Sequence, residues 1–480
     1  MAYLDLRSWL AEAERLGELK RLEGLDWNLE IGTLGELLRQ DLNAPAVLVD
    51  RVKDHDKGFR ILLNAQGTLK RLALSMGMTA KDYTPMEFIQ IMREKLPRLQ
   101  PIPCETVPSG PVLENVQEGE AVRLLQFPAP KWHEHDGGRY IGTGCMVITK
   151  DPDTGVVNAG VYRVMVHDDK HLGVYISPNK HGNTHLRKAA ERGEAAKIAI
   201  TFGQDFFSYF AASYEIPPQI SEFDYAGGLA GEPLKTIRGP YSGLPIPADA
   251  EIAVEGEVLP GETKLEGPFG EWTGYYASDA RPEPVVRVKT VLYRDDPIIV
   301  GFPPLRPTYA ANLYRAVVKS AMMWNELVAA GLPGIPGVWC PPAGAGRLWN
   351  IISIKQQYCG HAAQVGAVAS QCHAGAYLGR FTVVVDDDID IFNDQDVLWA
   401  ILTRCNPSDS IEILRHCVSG PLDPLIPKED INSQRYYNSR AIIDACKPFH
   451  WKDQFPRAVG ASEEMKRAVF EKWGSALSLR

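Results

Sequence analysis

Two carboxylates in the stretch KLEGPFGEWTGYYA (264–277), Glu266 and Glu271, stand on either side of Gly-Pro-Phe-Gly. Paired acids in unlike surroundings can divide acid and base work between them. In a regular strand their odd separation sends the side chains to opposite faces. In a helix the same separation turns through about 140°, again off one face. The Gly-Pro pair and the second glycine break both regular forms. The stretch therefore reads as a shaped turn beside a strand, where chemistry tends to sit on a rigid frame. A solvated acidic loop is the plain alternative. Two other stretches carry reactive side chains. VVNAGVYRVMVHDDKHLGVYISPNKHG (156–182) offers Asn158, Arg163 and His181, and SEFDYAGGLAGEPL (221–234) offers Glu222 before a glycine-rich turn. Taken singly, each has a structural explanation: a turn asparagine, a paired arginine, a surface histidine.

The chain holding these groups has 480 residues, 45% hydrophobic and 23% charged, which gives an ordinary globular composition with room for two or three domains. A net charge of -9 and the lack of a Lys/Arg run argue against nucleic acid or a membrane surface as partner. The opening MAYLDLRSWLAEAERLGELKRL carries acids from Asp5 onward and has no signal-type apolar core. No apolar run reaches the roughly 18 residues of a membrane span, so a cytoplasmic location is expected. The eight cysteines are scattered without a CxxC pair, which suits reduced thiols better than a zinc knuckle or a disulfide scaffold.

Periodicity supplies the elements. Leu6, Trp9, Leu10 and Ala13 predict an amphipathic helix over 4–16, closed by Gly17, and further helices are expected near 30–42 and 86–95. PRLQPIPCETVPSGPV (97–112) concentrates proline and reads as a linker. From 113 to about 305 short β-rich runs recur, ending with PIIVGF, and predict a barrel or sandwich. Residues 315–330 predict a helix stopped by Gly331 and Pro333, and SEEMKRAVFEKWG predicts one in the tail. The acidic turn VDDDIDIFNDQD (385–396) lacks the glycine and distal glutamate of an EF-hand, so no calcium site is expected there. HEHD (133–136) is not expected to bind metal either.

Read together, NAGVYR, NKH, EFDYAGG and EGPFGE, in that order, resemble the UbiD-type decarboxylases, which depend on prenylated FMN. The resemblance extends to FPAPKWHEHDGGRYIGTG (127–144), VDDDIDIFNDQDVLWAILTR (385–404) and SGPLDPL (419–425), and points to the aromatic and phenolic acid branch. It implies an α+β multidomain chain. An N-terminal α/β region with its linker (1–112) precedes a central split β-barrel of flavin-reductase type that holds the cofactor (113–310). A connecting helix (311–331), a C-terminal α/β dimerisation domain (332–440) and a helical tail (441–480) follow. By the same resemblance Arg163, Glu266 and Glu271 form the catalytic set, and Asn158, His181 and Glu222 hold the metal that bridges to the flavin phosphate. Ser213, in AAS (211–213), matches a cofactor-wall position, and Lys180 and His373 are further cofactor-binding candidates. The implied cofactors are prenylated FMN, Mn2+ or Mg2+, and K+ bound by backbone carbonyls. The implied partners are an aromatic acid substrate, a separate flavin prenyltransferase, and further copies of the chain in a homodimer or hexamer.

The chemistry fits that set. Loss of CO2 from an aromatic acid leaves charge in an orbital the ring does not delocalise, so an electron sink must come from a cofactor. The protein then places the substrate and supplies one proton. Glu266 is expected to stay ionised beside Arg163, while burial near Trp272 raises the pKa of Glu271 so that it can act as the acid. Arg163 can also hold the substrate carboxylate through charge-assisted hydrogen bonds. An amide oxygen, an imidazole and a carboxylate suit Mn2+ or Mg2+ better than structural zinc. Trp272, Tyr275 and Tyr276 favour a planar aromatic or heteroaromatic acid, and Arg306 either meets a second polar group on its ring or serves as a surface arginine. Asn158 and Arg163 would point apart in one regular strand, so a bulge is expected between them, or Asn158 in the preceding turn. The competing functions are a flavin reductase-like oxidoreductase, a two-carboxylate glycosidase and a non-catalytic flavin-binding subunit.

Overall fold

The computed structural model describes residues 5–178, 180–214, 216, 220–306, 312–474 and 476–477. Helix Leu6–Arg15 begins at a capping box between Asp5 and Ser8 and buries Leu6, Trp9, Leu10 and Ala13, the face its periodicity predicts. It lies beside a four-stranded sheet in the order Leu19–Glu23, Ala46–Asp50, Arg60–Leu63, Ile298–Gly301. The last strand is PIIVGF, expected in the barrel. It instead pairs in parallel with Arg60–Leu63, so the barrel region drawn as 113–310 gives up its final strand to the N-terminal sheet. Apart from the exposed edge strand Leu19–Glu23, both faces of this sheet are buried. Leu48, Leu62, Ile298 and Val300 enter one core, which also holds the long helix Leu313–Ala329 and the C-terminal domain. The alternate residues Val47, Val49, Ile61, Leu63 and Ile299 enter the core of the central sheet. The two-residue period of a strand thus joins two cores through one sheet.

The central sheet has nine strands, and every pairing in it is antiparallel. Its main path runs from Arg139–Gly142 at one end to Val157–Gly160 at the other. The chain nevertheless crosses between the two ends twice, through Thr143–Cys145 and through Val161–Tyr162. The second crossing spans no more than roughly 10 Å. An open flat sheet of this width could not be bridged so briefly, so the sheet curls into a half-barrel with a seam at those crossings. Long strands Ile252–Glu266 and Arg281–Tyr293 form its back and slip register twice, which helps them bend. The proline-rich linker is tied down. Ile102 N–H donates to Asp224 O, and Glu105–Thr106 pairs with Lys235–Arg238.

Helix Leu313–Ala329 leads to a five-stranded C-terminal sheet in the order Gly337–Trp339, Trp349–Ile354, Phe381–Asp386, Tyr437–Ala445, Ile411–Val418. Its buried side chains share the first core, and Arg93 from the N-terminal region stacks over its Trp324 at 3.9 Å. In the acidic turn, Asp386 and Asp388 pair with Arg404, and Asp388 also pairs with Lys447, so those aspartates serve structure. No helix among the described residues is long and apolar enough to cross a membrane.

Candidate functional site

Arg163 opens the strand Arg163–Asp168 on the seam of the half-barrel. Its Nε and Nη2 donate to Glu266 Oε1 and Oε2 at 2.9 and 2.8 Å, and its Nη1 donates to Glu271 Oε1 at 2.6 Å. All three groups are buried. Glu266 ends strand Ile252–Glu266, opposite Arg281 in register. The chain then turns through Gly267, whose φ of 90 requires a residue without a Cβ, and the cis bond to Pro268. Gly137 packs so tightly here that a Cβ on it would lie 1.9 Å from Gly267 O, and its N–H donates to Pro268 O at 2.8 Å. That contact explains the first glycine of HDGGRY, and the second, Gly138, packs where a Cβ would lie 2.3 Å from Met165 Cε. Phe269 stacks on Tyr140 with centroids 4.0 Å apart, and the Tyr140 hydroxyl donates to Glu266 Oε1 at 3.0 Å. Glu271 is fixed by its own turn, its N–H donating to Tyr275 O at 2.9 Å.

One cation thus serves two anions, and the anions are held differently. Glu266 receives both a bidentate guanidinium and a phenol. Glu271 receives one guanidinium bond, and burial pushes its carboxyl up to about 7 against the pull of Arg163. Burial beside Trp272 was the expected cause. Here Trp272 turns toward Arg347, whose guanidinium lies 5.2 Å from its ring, and the contact shared with Arg163 is added. Tyr175 carries Arg163 at 4.5 Å on its ring and Arg281 at 4.3 Å.

The second set lies across the seam. Asn158 sits inside its own strand, Val157–Gly160, which pairs with Met146–Lys150. The expected bulge between Asn158 and Arg163 is therefore replaced by a complete strand break at Val161–Tyr162. Two bonds brace it: Val161 N–H donates to Ala212 O at 3.1 Å, and the Cys145 thiol donates to Tyr162 O at 2.9 Å. The break turns the chain from one end of the sheet to the other, so both residues serve neighbouring sites. The tip of Asn158 lies 3.2 Å from both His181 Nδ1 and Glu222 Oε1. With the amide nitrogen turned inward it donates to both, and its oxygen accepts from Ala159 N–H at 3.2 Å. With the oxygen inward it meets Glu222 Oε1 lone pair to lone pair, an arrangement a cation would hold together. Glu222 Oε2 accepts from Ala159 N–H at 3.0 Å, and burial pushes its carboxyl up to about 7, the mark of a carboxylate without a compensating charge. These three residues fit a hard divalent cation. No group of three His, Cys, Asp or Glu with ligating geometry occurs among the described residues, and this set includes an amide.

Of the remaining candidates, Ser213 ends helix Phe206–Ser213 beside the brace at Ala212, its hydroxyl donating to Tyr209 O at 2.7 Å. Lys180 caps the helix that starts at His181 and points its ammonium at the Tyr377 ring, 6.0 Å away. His373 is not brought to the others. Its ring is exposed and stands 3.9 Å from Glu326, near the far end of helix Leu313–Ala329. Arg306 shares a cavity of about 180 Å3 with Glu271, Tyr275, Tyr276, His133 and Glu36. Within HEHD, the His133 N–H donates to Asp136 Oδ2 at 2.9 Å, and the Tyr276 hydroxyl donates to Asp136 Oδ1 at 3.0 Å, a turn that props the Glu271 loop. Sequence reasoning passed over Tyr140, Tyr175, Arg281 and Glu36. Tyr140 lay within a quoted motif, whereas Glu36 has no local signal because its helix reaches the cavity from another domain.

Comparison with known proteins supplies the context. Family models described as the N-terminal, Rift-related and C-terminal domains of 3-octaprenyl-4-hydroxybenzoate carboxy-lyase match residues 10–86, 105–307 and 313–445. The pyrrole-2-carboxylic acid decarboxylase of Pseudomonas aeruginosa is 30% identical over 98% of this chain and 97% of its own length. A phenolic acid decarboxylase of Bacillus subtilis is 31% identical over 93% of each chain. Among solved structures, HmfF of Pelotomaculum thermopropionicum in complex with FMN superposes with a TM-score of 0.82 at 29% identity, covering 96% of this chain and 98% of that one. The vanillic acid decarboxylase of Sedimentibacter hydroxybenzoicus gives a TM-score of 0.84 at 27% identity over the whole of both chains. An evolved dimeric HmfF is recorded in complex with prFMN, with a TM-score of 0.80 at 28% identity and coverage of 96% and 98%.

Proposed function

The chain belongs to the UbiD family of carboxy-lyases, and on that premise we propose that it removes CO2, reversibly and without oxidation, from a planar aromatic or heteroaromatic acid. The observation that carries this reading is the single buried guanidinium of Arg163 shared between Glu266 and Glu271. A flavin reductase has no use for such a triad. The flavin complexes of related structures support prenylated FMN as cofactor, which when bound supplies the electron sink. Asn158, His181 and Glu222 would hold Mn2+ or Mg2+ against its phosphate, with Lys180 and Ser213 nearby and K+ on backbone carbonyls. Arg163 orients the substrate carboxylate while Glu266, pinned by Tyr140, keeps the guanidinium in place. Glu271 is half protonated near neutral pH and delivers its proton from the carboxyl to the ring carbon that CO2 leaves. Gly137 and Phe269 hold the Glu266–Glu271 turn rigid, so the proton donor does not drift from the reacting carbon. Exposed apolar side chains on the C-terminal domain, Leu402 at 81% and Leu425 at 71%, support assembly into a homodimer or hexamer.

The test is production with and without a flavin prenyltransferase, followed by cofactor mass, absorption spectrum and CO2 release over a panel of aromatic acids. Turnover only in the co-expressed preparation is the expected result. Full activity from a host without a prenyltransferase would refute the cofactor assignment, and a preference for saturated aliphatic acids would refute the substrate class.

A further inference from the structure

Every turnover of the proposed reaction consumes a proton. The O–H bond of the Glu271 carboxyl breaks as the C–H bond forms on the ring, CO2 departs, and Glu271 is left as a carboxylate that solvent must reload. Its Oε1 accepts from Arg163 Nη1, and a guanidinium does not give up a proton. Its Oε2 accepts a hydrogen bond from none of the described residues, so it is the oxygen free to carry the proton. Only 8% of the residue is exposed, and its way to solvent is the cavity of about 180 Å3 that it lines. Such a space admits several water molecules. Glu36, Tyr275 and Arg306, all exposed, mark its outer end.

His133 lines the same cavity, and an imidazole is the side-chain type that loads and unloads protons near neutral pH. Its Nδ1 faces the buried carboxylate of Asp136, 3.7 Å from Oδ2, within reach of charge attraction but too long for a hydrogen bond. Its Nε2 is covered and meets no hydrogen-bond partner among the described residues. The side chain still keeps 22% of its surface open. A carboxylate orients the ring, and the second nitrogen is committed to nothing, which is the arrangement a proton carrier needs. The turn that carries His133 is bonded to the turn that carries Glu271. Asp136 Oδ1 accepts from the Tyr276 hydroxyl at 3.0 Å, and Gly137 N–H donates to Pro268 O at 2.8 Å. The turn does not depend on the imidazole, because Asp136 Oδ2 is held by the backbone N–H of His133 at 2.9 Å.

We propose that His133 is the proton relay of this site: it takes a proton from solvent and passes it across the cavity to Glu271 Oε2 after each turnover. The N–H bond of the imidazolium breaks as the O–H bond of Glu271 forms, and the neutral imidazole recovers its proton from water or buffer at the cavity mouth. When the reaction runs toward the acid, the proton travels outward by the same steps. Asp136 faces the ring from its own turn, Glu36 comes to the cavity from helix Glu30–Gln40, and Glu271, Tyr276 and Arg306 share the cavity with it. This inference rests on the decarboxylase reading above and adds the step that resets it. His133 serves Glu271 and touches no reacting atom of the substrate.

His133→Ala is compared with the wild type in CO2 release at neutral pH, each as the full chain co-expressed with a flavin prenyltransferase. The variant should lose about tenfold or more in kcat, because reloading then limits turnover, with KM and flavin content unchanged. Imidazole added to the buffer should restore most of that loss and leave the wild type as it was. Wild-type kcat in the variant, or a loss that imidazole does not restore, would overturn the proposal. Should the alanine variant fail to fold, His133→Gln fills the same place without exchanging protons: it should show the kcat loss at unchanged KM, and full activity would overturn the relay. Reloading is also read without turnover. A light-triggered release of protons carries the sample from above to below the titration of Glu271 at about 7, and the infrared C=O band of the protonated carboxyl is followed, identified by its absence in Glu271→Gln. The band should grow about tenfold or more slowly in His133→Ala and regain its speed with imidazole; equal rates would overturn the relay. A wild type that releases CO2 from no acid would refute the decarboxylase reading, while the infrared rates still decide whether His133 feeds Glu271.

Discussion

Replacing Glu271 by glutamine separates the cost of the proton donor from its use. In the folded chain Glu271 titrates at about 7 instead of its ordinary 4.5 because it is buried. Between those values the folded protein binds more protons than the unfolded one, so this group's contribution is present at low pH and is lost as pH rises through about 7. At 1.36 kcal/mol per unit the shift amounts to about 3 kcal/mol. Gln does not titrate, so Glu271→Gln should be more stable than wild type at pH 8, by up to about 3 kcal/mol less whatever Arg163 loses with its second carboxylate. Glu266 still grips Arg163 through two bonds, which limits that loss. The catalytic effect runs the other way. An amide cannot donate the proton at neutral pH, and a positioned general acid is worth roughly 10²–10⁴ in rate. Turnover should therefore fall by that factor with flavin content unchanged. Wild-type kcat should hold below pH 7 and decline about tenfold per unit well above it, as the protonated fraction of Glu271 declines. Urea unfolding at pH 6 and 8, with CO2 release from pH 6 to 9, measures both effects. A variant keeping more than about a tenth of wild-type turnover, or a flat wild-type profile across that range, would refute the assignment.

Two more substitutions address the neighbouring groups. His181→Ala should lower bound metal and flavin together, read by elemental analysis and absorbance; loss of metal at wild-type flavin occupancy would show that the cation does not bridge to the phosphate. Arg163→Lys keeps the charge but cannot span Glu266 and Glu271 at once. Breaking that buried arrangement should cost on the order of 3 kcal/mol of stability, and the lost positioning about a hundredfold in kcat/KM; a loss under tenfold would reduce Arg163 to a steering charge.

Local chemistry was legible in the sequence. The helix at Leu6–Arg15 follows from apolar spacing, the Glu266–Glu271 turn from its Gly-Pro and glycine, and the connecting helix Leu313–Ala329 from periodicity and its stop signals. The family, and with it the half-barrel, followed from motifs in order along the chain. What the spacing could not state is which distant segments pair. Arg163 meets Glu266 across a separation of 103 residues because the sheet curls and brings its seam to the end of strand Ile252–Glu266. PIIVGF carries the same β signal in either sheet, and only the open edge at Arg60–Leu63 decided where it went. His373 shares a motif-rich segment with residues near the site, yet its own short helix, His373–Ala376, sets it beside Glu326 of helix Leu313–Ala329, away from the others.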